Sequence, residues 1–145
     1  MRLVKFRNED FVYPQFAVVE GETAYPVKNH FRVSDLFTAI HENTLEYDEP
    51  VTLDSITPLP PTDEHVHVYC AGLNYRDHAE EMAMPIPKTP VFFTKSQGCL
   101  TPSGSPVIWP RDVRLLDYEV ELACIVGRKI GIDDQVRPDN ISDYL

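Results

Sequence analysis

The chain has 145 residues, 43% of them hydrophobic, with 23 acidic against 13 basic side chains and a formal net charge of −10. That length and apolar fraction support one ordinary domain, or a small domain with part of another, and argue against wholesale disorder. The acidic balance argues against nucleic acid or an anionic membrane as the main partner, and no apolar run approaches membrane-spanning length.

In chain order, residues 2–6 alternate and predict an edge strand. Residues 16–20 and 23–27, joined by Gly21 and Glu22, predict a hairpin. Ser34 reads as a helix N-cap with Asp35 in the first turn, and Leu36, Phe37 and Ile40 mark an apolar stripe running to about Asn43. His30 and His41 lie in this unit without metal-ligand spacing and read as surface residues. Over residues 47–62 the prolines thicken (Pro50, Pro58, Pro60, Pro61), which predicts a stiff, extended connector.

Residues 65–70 (HVHVYC) alternate again as a strand. His65 and His67 would share a face, but no cysteine or third histidine follows at zinc spacing. Ala71 and Gly72 break the strand, and Asn74 is placed to cap a helix over residues 75–84, with Asp77 three residues on. On that helix His78 and Glu81 fall on one face. A carboxylate beside an imidazole orients the ring and selects its tautomer, as a general base requires; the same spacing also suits an ordinary solvated His/Glu pair. A proline-rich loop (MPIPKTP) follows, and residues 91–94 then form a short strand delivering Lys95 at its end.

TPSGSP is turn chemistry, and residues 107–109 predict a strand. Residues 115–127 (LLDYEVELACIVG) alternate strictly. As a strand they place Leu116, Tyr118, Val120, Leu122 and Cys124 on one face and Asp117, Glu119, Glu121 and Ala123 on the other. Successive carboxylates on that face lie about 6.6 Å apart. They repel one another, which a hard divalent cation relieves, although a solvated acidic face has the same pattern. After Gly127 a polar turn region leads to Pro138, Asp139 and Asn140, which read as the start of a helix. Cys70, Cys99 and Cys124 are widely spaced with no C-x-x-C, as reduced thiols are. The N-terminal MRLVKFRNEDF lacks the apolar core of a signal peptide, so a cytoplasmic protein is expected.

Four of these motifs occur together and in order: CAGLNYRDHAEEM, PVFFTKSQGCL, SPVIWP and LLDYEVELACIVGRKI. With the approach ITPLPPTDEHVHVYCAGLNY they resemble the fumarylacetoacetate hydrolase family, strongly over residues 58–130 and weakly over the first fifty. The resemblance implies an α+β, mainly β fold: a small N-terminal α+β domain with its Pro-rich linker (1–57), then the first part of a mixed β-sandwich or roll catalytic domain (58–145). It implies a metal-dependent enzyme acting on 2-oxo and 1,3-dicarbonyl acids, as a C–C hydrolase or as a decarboxylase or isomerase. Carried over residue by residue, it makes His78 the catalytic base and Glu81 its partner. Glu119 and Glu121 become ligands of Mg²⁺ (or Mn²⁺ or Ca²⁺), and Asp117 lies beside them. Lys95, Asn74 and Tyr75 become substrate contacts.

The family's third metal carboxylate lies beyond the last residue here, so the resemblance also implies an N-terminal portion of a longer enzyme, whose activity alone is in question. Family members are commonly dimers, which makes a homodimer the expected assembly and a small 2-oxo or diketo acid the expected ligand. Two other readings are a non-catalytic fragment and an unrelated β-rich binding module.

Overall fold

A computed structural model describes residues 1–29, 32–63 and 65–143. His30 lies outside the described residues. The fold is mixed, with more strand than helix, and divides into two compact units, Met1–Thr62 with Pro102–Leu145, and Asp63–Thr101.

The first unit is built on β1 (Leu3–Arg7), β2 (Gln15–Glu20), β3 (Thr23–Pro26), α1 (Val33–Glu42), β4 (Val51–Thr52) and β5 (Thr57–Leu59). The strands form one antiparallel sheet in the order β4-β3-β2-β1-β5. β2 is central, and its apolar, β-branched sequence suits burial on both faces. Period-two alternation sends Ala17 and Val19 to one side, where Phe6, Ala24 and Ile56 join them. Phe16 and Val18 go to the other side, where Val27 and the α1 residues Val33 and Leu36 cover them. The β2–β3 hairpin forms as expected. Glu20 faces Thr23 and Gly21 sits at φ +57, the conformation a two-residue loop asks of its first residue.

Helix α1 starts two residues earlier than expected. Arg32 occupies the N-cap without a side-chain cap, and the Ser34 hydroxyl instead donates to Asp35 at 3.3 Å. Val33 is 7% exposed, and burying a valine contributes about 1.5–3 kcal/mol against about 1 for a serine cap. The other end closes in a Schellman motif. Asn43 is left-handed at φ 54, its N–H donates to Ile40, and Thr44 N–H donates to Ala39 at 2.9 Å.

The proline-rich stretch of residues 47–62 is not extended throughout: a 3-10 turn at Leu53–Ser55 interrupts it, and the short strands on either side join the sheet. Its β5 pairs with β1, placing Pro58 opposite Phe6. An edge strand is where a residue without an N–H is tolerated.

Residues 102–140 in this unit have turns and irregular backbone but no strand. The strands expected over residues 107–109 and 115–127 do not form. Alternation supplies the tendency; a strand exists only by hydrogen bonding to a neighbour, and among the described residues none pairs with either segment. Leu115, Tyr118, Val120 and Leu122 are accordingly 79%, 83%, 86% and 83% exposed. Ile125 of the second segment packs against the Phe16–Leu36 cluster. The helix expected from residues 138–140 is a turn followed by a short 3-10 segment, Ile141–Asp143.

The second unit holds β6 (Val68–Gly72), α2 (Arg76–Glu81) and β7 (Val91–Lys95). β6 and β7 pair antiparallel from Val68↔Lys95 to Gly72↔Val91. β6 starts three residues later than expected: His65 is left-handed at φ 67, and the described ladder begins at Val68↔Lys95. α2 is shorter than the expected 75–84. Ala83 turns left-handed at φ 51, and Met84 N–H donates to Ala79 at 2.9 Å, a second Schellman closure ahead of Pro85.

Candidate functional site

Ala71 and Gly72, expected to break the strand, are instead its last paired residues, opposite Phe92 and Val91, and an added Cβ at Gly72 would meet Phe93 and Val91 at ordinary contact distances. From there Leu73, Asn74 and Tyr75 lead into α2. Tyr75, not Asn74, is the N-cap, without a side-chain cap bond, and both are exposed. His78 and Glu81 stand three residues apart on this helix and therefore share a face. His78 is half-buried and Glu81 exposed. Between them on the helix, Ala79 is fully buried and anchors the turn that carries them.

Lys95 ends β7 opposite Val68, while Gly72 faces Val91. Measured along β6, Lys95 thus lies about 13 Å from the Gly72 end that leads to Asn74 and Tyr75.

Asp117, Glu119 and Glu121 belong to the other compact unit and are all exposed on irregular backbone. The Tyr118 N–H donates to Asp117 Oδ1 at 2.8 Å. Without a strand, the shared acidic face that strict alternation predicts is not enforced. Carboxylate oxygens are the right donors for Mg²⁺, Mn²⁺ or Ca²⁺. Among the described residues, however, no group of three or more His, Cys, Asp or Glu side chains comes together to hold a metal. The donor chemistry of Glu119 and Glu121 fits such an ion.

A hollow lined by Arg7, Asn8, Glu9, Asp10, Ser55 and Thr57 was not legible in the sequence, because β5 brings its two halves together only by pairing with β1. Asn8 and Asp10 satisfy each other within one wall of it: the Asn8 amide donates to Asp10 Oδ2 at 3.1 Å, and the Asp10 N–H donates to Asn8 Oδ1 at 3.2 Å. It has the character of a polar turn surface. No helix among the described residues is long and apolar enough to cross a membrane.

Comparison with known proteins places these residues in a family. The family model described as fumarylacetoacetate (FAA) hydrolase C-terminal matches residues 67–144, a stretch that includes His78, Glu81, Lys95, Asp117, Glu119 and Glu121. An uncharacterized protein of Methanocaldococcus jannaschii is 38% identical over 78 residues, covering 54% of this chain and 32% of the relative. The mitochondrial oxaloacetate tautomerase FAHD2A of Homo sapiens is 29% identical over 143 residues, covering 89% of this chain and 46% of that protein. The mitochondrial oxaloacetate tautomerase of Xenopus laevis is 28% identical over 161 residues, covering 99% and 50%. The chain thus spans between a third and a half of the length of these relatives. No solved structure matches it significantly. An unrelated binding module does not fit a match of this extent, which takes in more than half the residues: the chain belongs to the fumarylacetoacetate hydrolase family.

Proposed function

We propose that the protein carrying this chain is an enzyme that removes a proton next to the carbonyl of a 2-oxo or 1,3-dicarbonyl acid and works through the resulting enolate. The observation that supports this is the single family match running through His78, Glu81, Lys95, Glu119 and Glu121. Among the reactions an enolate allows, keto–enol interconversion of a 2-oxo dicarboxylic acid is favoured by the relatives named oxaloacetate tautomerases.

In this proposal His78 takes the proton from the carbon beside the carbonyl, and Glu81 holds the imidazole in the tautomer that accepts it. Returning that proton to the carbonyl oxygen completes the interconversion: a C–H bond breaks, an O–H bond forms, and nothing else is consumed. Lys95 offers a positive charge to a substrate carboxylate, and Asn74 and Tyr75 offer hydrogen bonds. The ion proposed is Mg²⁺, with Mn²⁺ or Ca²⁺ as substitutes, and Glu119 and Glu121 are its proposed protein ligands, with Asp117 beside them. When bound it would supply Lewis acidity; no step here is routed through it.

A second reading is hydrolysis of a C–C bond in an acylpyruvate- or fumarylacetoacetate-like acid. The family's own description favours it, and His78 would then take its proton from water. Decarboxylation would share the same enolate. The proposal includes a catalytic domain of sandwich or roll type from residue 58 onward, after the small domain of residues 1–57. It also includes a homodimer, a small-molecule substrate, no nucleic-acid or membrane partner, and a cytoplasmic setting.

The test follows enol-oxaloacetate by its ultraviolet absorbance. The wild-type protein should speed its conversion, and His78→Ala should lose about 10²–10⁴-fold of that acceleration with unchanged circular dichroism. Cleavage of an acylpyruvate with no effect on oxaloacetate selects the second reading, and neither activity overturns both.

A further inference from the structure

We draw no further inference here: the strongest candidate, the exposed apolar patch on residues 107–120 (Val107, Ile108, Leu115, Tyr118 and Val120), is a surface patch and nothing in the structure shows what covers it.

Discussion

Gly21 and Ala83 both sit in the left-handed region, at φ 57 and φ 51, but only one of them is a glycine. An added Cβ at Gly21 meets nothing within 4 Å, so Gly21→Ala should isolate the backbone cost of that conformation, about 1–2 kcal/mol. Urea unfolding measures it, and an unchanged midpoint would mean the hairpin loop has switched to another turn. At Ala83 the methyl is already present. Ala83→Gly should therefore lower local strain, partly offset by the greater freedom of glycine in the unfolded chain. The αL cap at Asn43 needs no such remedy, since asparagine tolerates it. At the proposed base, Glu81→Gln should lower kcat with little effect on KM, and by less than His78→Ala does. A change confined to KM would assign Glu81 to substrate binding instead.

Each element's fate turns on whether its partners are near in sequence. In α1, Leu36 is 1% exposed between the helix and the Phe16–Val18 face of the sheet. Leu36→Ala should cost about 2–5 kcal/mol, read by denaturant unfolding; a loss below 1 kcal/mol would mean the cluster collapses around the gap. The α1 stripe and the hairpin at Gly21 were legible because their signals lie within a few residues of each other. β5 was legible as extended chain but not as a strand of this sheet, because its partner β1 lies some fifty residues away and Pro58 reads locally as a breaker. The opposite error occurs at residues 115–127, where perfect alternation suggested a strand but could not supply a neighbour. The His78/Glu81 spacing survived because one turn of helix suffices to set it, whereas the Asp117/Glu119/Glu121 face depended on a ladder. A consequence is measurable by limited proteolysis. Chymotrypsin should cut first at Tyr118 or Leu122, which are exposed on irregular backbone, and only later at the buried Phe6 and Phe16. First cleavage within β1 or β2 would contradict this order.

Across the whole molecule, burial is uneven. Of the buried apolar residues described, all but Ala79 belong to the unit built on the five-stranded sheet. The unit of residues 63–101 has a two-stranded sheet and a six-residue helix, elements that are marginal without further packing. Amide hydrogen exchange should consequently be slow in β2 and α1 and fast in α2 and β6–β7; equal protection in both units would refute the contrast. The residues proposed for proton transfer thus ride on the part of the chain expected to exchange faster.

The most direct measurement of that proposed chemistry is deuterium incorporation from D₂O at the carbon beside the carbonyl of oxaloacetate, followed by NMR. This exchange reports enolate formation whether the end product is a tautomer, a cleaved acid or carbon dioxide. The account predicts exchange above the uncatalysed background with the wild-type protein, falling to background in His78→Ala while the fold persists. Exchange that continues undiminished without the imidazole would contradict it.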